Sequence, residues 1–174
     1  MYICIYLMRI SKWIPARYIP KVLSGPDART VKRELALSRR MYRRGLYHTR
    51  RKVNTFPSKK SDHIIRAERV YGVDRVLPSR LLATKTGCSI NALSKIERKG
   101  QGAYFSSGSR PNQTAHSWGR ARLASAITGG KSAAVDFSIL DQGCNHATSK
   151  AYKLALGAVK KYGHGQGRTR RVRL

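Results

Sequence analysis

Acidic side chains are the scarcest class in this sequence. Its 174 residues include 8 Asp and Glu against 36 Lys and Arg, so the formal net charge is +28 at pH 7. General acid–base catalysis needs positioned titratable groups, and so few carboxylates supply it poorly. The excess of positive charge instead favours an anionic partner, such as nucleic acid, a lipid surface or an acidic protein. The composition therefore predicts a binding or structural protein without catalytic residues or a cofactor.

Cysteines are also few, and they are far apart in the chain. Cys4, Cys88 and Cys144 form no C-x-x-C pair, so the sequence predicts neither a disulfide framework nor a zinc ribbon. Reduced thiols in an intracellular setting are the simplest interpretation. Cys144 and His146 are separated by one residue, but two ligands do not make a metal site. We expect no bound metal.

A long hydrophobic run is missing as well. The N-terminal "MYICIYLM" is apolar for eight residues, whereas a membrane-spanning helix needs about 20 residues. A signal peptide would begin with positive charge, which this segment lacks. The run therefore predicts a buried strand or arm, with shallow contact to a membrane surface as the alternative.

Prolines, glycines and charge divide the chain into three parts. Prolines favour extended geometry and predict an N-terminal arm over residues 1–25. Helical patterns follow over residues 26–162 and predict a small basic helical domain. Residues 163–174 form a Gly/Arg tail without a core-forming pattern, which we expect to order only against a partner. The predicted fold class is mainly α, with an ordered Gly/Ser-rich loop inside the domain.

The first predicted helix has one cationic face. Ser24 and Pro26 are typical of a helix start, and Gly45 of a helix end. One stripe is predicted to be buried, and it consists of Val31, Leu35, Ser38 and Tyr42. The arginines of another face are Arg29, Arg33, Arg40 and Arg44. Ten basic residues and one acid between Arg29 and Lys52 indicate an anion-facing surface, and a solvated face is the alternative.

The segment 79–99 has the spacing of a helix-turn-helix. Glycines predict helix ends at Gly72, Gly87 and Gly100. Leu82-Ala83, the glycine at 87, and then Leu93 and Ile96 match the small contact residue, the turn and the apolar anchors of that motif. The side chains expected to face a DNA groove are Ser89, Asn91, Ala92 and Lys95. A helical hairpin that only packs is the alternative, because it has the same geometry.

The stretch from 100 to 115, "GQGAYFSSGSRPNQTA", predicts an ordered loop. Glycines and a proline impose turns, while aromatic side chains indicate packing against the chain's own helices or against a neighbouring subunit. The candidate assembly contacts here and in the arm are Trp13, Tyr18, Tyr104, Phe105 and Trp118. The candidate anion contacts of this region and of the tail are Arg110, Arg120, Arg168, Arg170 and Arg171.

Three stretches together resemble a known family. They are "RYIPKVLS" at 17–24, "TGCSINALSKI" at 86–96 and, most specifically, "KGQGAYFSSGSRPNQTAHSWGRARLASAITGGKSAAVD" at 99–136. They resemble small, basic, functionally uncharacterised proteins of large nucleocytoplasmic DNA viruses, notably phycodnaviruses and mimivirus relatives. The resemblance covers residues 17–158 and brings no established catalytic residues. It implies a viral setting, with the protein a component of the particle.

Two functions follow as expectations. The first is a minor capsid protein of a large icosahedral DNA virus, made in the host cytoplasm, whose arms tie neighbouring capsid proteins together. Its partners would be the major and minor capsid proteins, and its basic face would meet acidic capsid surfaces or the anionic inner membrane. The alternative is a virion protein that binds viral DNA through the helix-turn-helix and its cationic tails.

Overall fold

The computed structural model describes residues 13–163 and 170–174. Eight α-helices make up most of this part of the chain, which confirms the prediction of a mainly α fold. They are α1 (Gly25–Tyr42), α2 (Asp62–Tyr71), α3 (Arg80–Thr86), α4 (Ile90–Ser106), α5 (Ala115–Ile127), α6 (Lys131–Val135), α7 (Phe137–Gly143) and α8 (Lys150–Tyr162). None of the described helices is long and apolar enough to cross a membrane.

The arm and the tail pair with each other. Strand β1 (Trp13–Pro15) leads into a 3-10 turn (Ala16–Tyr18), and β1 pairs antiparallel with strand β2 (Arg171–Arg173). The expectation that the tail orders only against a partner is therefore wrong for residues 170–174. Its apolar side chains Val172 and Leu174 pack against a buried cluster that includes Ile14 of the arm and Leu35 of α1. The apolar run at 1–8 lies outside the described residues.

Two hydrophobic clusters hold the described residues together. The larger one is formed by residues of helices α2 through α8. Leu93, Ile96 and Leu123 are among its fully buried members. The smaller one lies between the arm and α1, where Tyr18 and Leu35 are buried. Burying one such side chain contributes about 1.5–3 kcal/mol. The smaller cluster therefore positions α1 and the arm as one unit.

Local capping explains where most helices begin and end. The Ser24, Ser79 and Ser89 hydroxyls each accept a hydrogen bond from a backbone N–H in the first turn of the helix that follows. Helices α2 and α3 end at Gly72 and Gly87, as predicted, with both glycines in the left-handed conformation. Helix α1 ends slightly earlier than expected, at Tyr42.

Helix α4 does not end at Gly100, so the predicted loop 100–115 is wrong in its first half. The helix continues to Ser106, and the loop is confined to residues 107–114. A Cβ built on Gly100 would lie 2.7 Å from the Cα of Gly119 on α5. Since neither residue has a side chain, α4 and α5 pack with their backbones close together. Gly100 therefore serves helix packing and not a turn.

A disulfide joins Cys88 and Cys144, which are 56 residues apart in sequence. The prediction of reduced thiols is wrong for this pair. Backbone hydrogen bonds bring the two segments together, from Ser89 N–H to the Gly143 carbonyl (2.7 Å) and from Asn145 N–H to the Gly87 carbonyl (2.8 Å). The contact depends on how α7 packs beside α4, which spacing along the chain does not reveal. Cys4 lies outside the described residues.

Candidate nucleic-acid and anion interface

Helices α3 and α4 are joined by a short turn, and the apolar anchors expected of a helix-turn-helix are buried. Leu82, Leu93 and Ile96 are fully buried. Asn91 and Lys95 are four residues apart on α4 and are both exposed, so they share one helix face. This face carries an amide and an ammonium, the groups suited to base edges and phosphates.

One side of the α4 N-terminus is covered by the chain itself. Ala92, expected to face a groove, is buried. Gly143 at the end of α7 lies so close to it that a side chain on Gly143 would overlap the Ala92 side chain. The Ser149 hydroxyl donates to the Thr86 carbonyl (2.7 Å) just before the turn. Ser89 is exposed, but its hydroxyl accepts the Ala92 N–H (3.2 Å) as a helix cap. The accessible face of α4 is therefore the one that carries Asn91 and Lys95.

The outer face of α1 carries exposed arginines, and the two acids of this helix make hydrogen bonds with other segments of the chain. Of the four predicted arginines, Arg29, Arg33 and Arg40 lie on α1 and Arg44 lies just after its end, and all four are exposed. The Asp27 carboxylate accepts hydrogen bonds from the Thr55 hydroxyl (2.6 Å) and N–H (2.9 Å). Glu34 is buried and accepts from His48 Nε2 (2.8 Å) and the Arg51 N–H (3.1 Å). Burial raises the pKa of Glu34, but the hydrogen bonds and the charges of His48 and Arg51 together outweigh it and lower the pKa overall.

The remaining predicted anion contacts lie on several elements. Arg110 is exposed in the loop after α4, and Arg120 is exposed on α5. Arg170 and Arg171 are exposed at the start of the tail strand. Arg168 lies outside the described residues. The structure thus leaves every described candidate arginine in contact with solvent.

Arg50 is a cation that the sequence analysis missed. Its guanidinium lies over the Tyr104 ring, 3.7 Å from the centroid, and donates to the Tyr104 carbonyl (2.8 Å) and the Ser109 hydroxyl (2.6 Å). Burial is the main cause that lowers its pKa. Arg50 is therefore a structural cation that fixes the segment after α1 to the end of α4.

Most of the aromatic candidates contact their own chain. Tyr104 is fully buried, and Phe105 stacks on Tyr42 with ring centroids 6.3 Å apart. Tyr18 is buried and meets Trp118 edge to face at 5.9 Å. These contacts explain why the Gly/Ser-rich region is ordered. Trp13 on β1 is 53% exposed.

The buried carboxylate of Asp136 is a second feature that the sequence did not indicate. It accepts hydrogen bonds from Arg122 Nε (2.7 Å) and Nη2 (2.8 Å) and from Lys99 Nζ (2.8 Å). Asp136 stands at the junction of α6 and α7, while its partners belong to α5 and α4. The charges of Arg122 and Lys99 are thus used to join helices and not to bind a ligand.

The few carboxylates cannot neutralise the surface. In the described part of the chain they pair with Lys60, Lys99 and Arg122 and with the imidazoles of His48 and His146. With 36 Lys and Arg against 8 acids, most cations must face water or an external anion. The arrangement is suited to polyanion binding.

Comparison with known proteins places the chain in a family. No curated protein and no solved structure matches it. A family model, described as a family of unknown function (DUF5824), matches residues 15–143. The matched segment runs from the end of β1 to the end of α7 and therefore includes α1 and the helix-turn-helix. The chain belongs to the family of unknown function DUF5824.

Proposed function

We propose that this protein binds DNA, with α4 facing a groove and the arginines of α1 contacting phosphates. The observation that carries the proposal is the division of residues in the helix-turn-helix. Leu93 and Ile96 anchor α4 in the core, whereas Asn91 and Lys95 are exposed on its accessible face. An Asn side chain can make two hydrogen bonds to adenine, and a Lys can reach guanine or a phosphate.

The electrostatics support the same function. Each Lys or Arg that neutralises a phosphate releases condensed counterions, so affinity depends on salt concentration. The exposed arginines of α1 outnumber its two acids, and the carboxylates of Asp27 and Glu34 make hydrogen bonds within the protein. The charged surface therefore supplies affinity that does not depend on sequence, and the α4 face supplies sequence preference.

Two single substitutions on α4 separate these contributions. Affinity for a short duplex selected from a random pool is measured by fluorescence anisotropy over a range of salt concentrations. We expect Lys95→Ala to reduce the slope of log affinity against log salt by about 1, because one phosphate contact is lost. Asn91→Ala should leave the slope unchanged and reduce discrimination against unselected duplexes by about 1–3 kcal/mol.

Lys153 supplies the matched control. It is exposed on α8, so Lys153→Ala makes the same charge change on a different helix. We expect this variant to keep both the slope and the sequence preference of the wild type. Equal losses in Lys95→Ala and Lys153→Ala would show that α4 is not the interface. If the affinity of the wild type does not change with salt concentration, phosphate binding is excluded.

A minor capsid protein of a large icosahedral DNA virus is the second candidate, and exposed apolar side chains favour it. Trp13 (53%), Val22 (68%), Leu46 (53%) and Tyr47 (71%) are large and accessible, as expected at a contact with a partner protein. In this role the protein remains in emptied shells at a fixed ratio to the major capsid protein, which quantitative mass spectrometry measures. Trp13→Ala with Tyr47→Ala should lower that ratio. Release together with the genome would favour the DNA-binding function.

A further inference from the structure

Three aromatic rings lie together where the end of α1 meets the end of α4. Tyr47 packs edge to face against Phe105, with ring centroids 5.0 Å apart, and against Tyr42 at 6.0 Å. Phe105 and Tyr42 are nearly parallel, with 7° between their ring planes. Tyr47 is nevertheless 71% exposed, and its neighbour Leu46 is 53% exposed. We call Tyr42, Tyr47 and Phe105 the aromatic cluster.

The backbone is held in place on both sides of Tyr47. Gly45 adopts the left-handed conformation (φ 74°), and its N–H donates to the Tyr42 carbonyl (3.0 Å) as the chain leaves α1. His48 follows Tyr47 directly, and its Nε2 atom lies 2.8 Å from the Glu34 carboxylate. The exposed ring is therefore presented from an ordered segment, so a ligand that stacks on it pays little to order the protein.

The aromatic cluster continues the exposed face of α4. Helical spacing of four, three, four and three residues places on one stripe Asn91, Lys95, Arg98, Gly102 and Phe105. The first three of these residues are exposed. Gly102 has no side chain, and a Cβ built on it would lie 3.6 Å from the Tyr42 hydroxyl oxygen. One face of α4 thus carries cations towards its start and joins the aromatic cluster at its end.

Exposed arginines lie on two sides of the aromatic cluster. Arg98 is seven residues before Phe105 on α4, so their Cα atoms are about 10 Å apart. Arg44 is three residues before Tyr47, a length of chain that spans at most about 11 Å. Both arginines are exposed. These distances correspond to about three nucleotides of one strand, so the rings and the cations can contact the same strand.

We propose that the aromatic cluster binds an unpaired base of a single-stranded nucleic acid, which stacks on Tyr47 while nearby phosphates contact Arg44 and Arg98. Aromatic rings beside cations suit single strands, because every base has a π-face and every nucleotide a phosphate. A base inside a duplex is already stacked and paired, and exposing it costs free energy. The ligand is therefore a strand with unpaired bases, which goes beyond the duplex of the proposed function.

Two oligonucleotides of equal length separate base stacking from charge. The affinities of a labelled thymidine oligomer of about 10 nucleotides and of an abasic oligomer of the same length are measured by fluorescence anisotropy at one salt concentration. Both carry the same phosphates, but only the first has bases. We expect the wild type to bind the thymidine oligomer about 5- to 150-fold more tightly, the range for one stacked base. A uridine oligomer measured beside it distinguishes RNA from DNA as the source of the strand.

Substitutions at Tyr47 test whether the ring is the contact. Tyr47→Leu removes the ring but keeps an apolar side chain, and it should bind the thymidine oligomer and the abasic oligomer equally. Tyr47→Phe should keep the preference of the wild type. Leu46→Ala is the matched control, because Leu46 is the adjacent exposed apolar residue and has no ring. It should also keep the preference, and circular dichroism checks that all three variants are folded.

The proposal is overturned if the wild type binds the two oligomers equally, as expected if the aromatic cluster contacts a partner protein instead. It is also overturned if Tyr47→Leu keeps the preference. Lys95→Ala separates this inference from the proposed function, since the ratio of the two single-strand affinities involves no groove and should not change. Absence of duplex binding with the preference retained would refute the proposed function alone, and the reverse result would refute only this inference.

Discussion

At the scale of single residues, the buried acid Asp136 has a role that its sequence context does not indicate. It stands among small and apolar residues in "SAAVDFSIL", and its partners Arg122 and Lys99 are 14 and 37 residues away. Desolvating a carboxylate is costly unless its charge is paired and its oxygens are hydrogen-bonded. Two hydrogen bonds from one guanidinium and one from an ammonium meet both conditions here.

Replacing this acid should destabilise the protein strongly. Asp136→Asn removes the charge that compensates Arg122, whose side chain is only 20% exposed. We expect a loss of about 3 kcal/mol in the free energy of unfolding, measured by urea denaturation. Asp141→Asn is the control, because the Asp141 side chain is 44% exposed and pairs with His146 at the surface. That change should cost less than about 1 kcal/mol, and equal losses in both variants would contradict the structural role of Asp136.

At the scale of helices, the sequence predicts the helix ends that are determined by hydrogen bonds between residues close together in the chain. Ser24, Ser89 and Gly87 cap helices through contacts within a few residues, so their roles can be recognised from spacing alone. Gly100 was misassigned because a glycine that ends a helix and a glycine that packs against another helix look the same locally. The difference depends on Gly119, which belongs to α5.

The residues of the candidate interface also differ in how well the sequence predicts them. The exposed cations Arg33 and Lys95 can be predicted because spacing along the helix places each of them on a different face from the apolar residues of its helix. The structural cation Arg50 was not predicted, because its contacts with Tyr104 and Ser109 form only when α1 and α4 have packed. Likewise, Ala92 is covered only because the end of α7 reaches it. Long-range packing therefore limits what the sequence reveals about the site.

At the scale of the whole molecule, one disulfide encloses in a covalent loop several helices that form the larger hydrophobic cluster. The Cys88–Cys144 disulfide joins the α3–α4 turn to the segment after α7, with 56 residues of sequence separation. Every residue of α4, α5, α6 and α7 lies between the two cysteines. The same closure covers one side of the α4 N-terminus, so it both stabilises the helix-turn-helix and limits which face is accessible.

Removing this link should lower stability without changing the exposed face of α4. In the chain-entropy treatment, a closed loop of this length contributes about 4 kcal/mol by restricting the unfolded chain. We expect Cys88→Ser with Cys144→Ser to lose an amount of that order in urea denaturation, in a Cys4→Ser background that prevents thiol exchange. Reduction of the Cys4→Ser protein should produce the same loss, and the triple variant should be insensitive to reductant. If the reductant leaves the stability of the Cys4→Ser protein unchanged, the disulfide contributes nothing to stability. The two segments would then be held together by their backbone hydrogen bonds and core contacts alone.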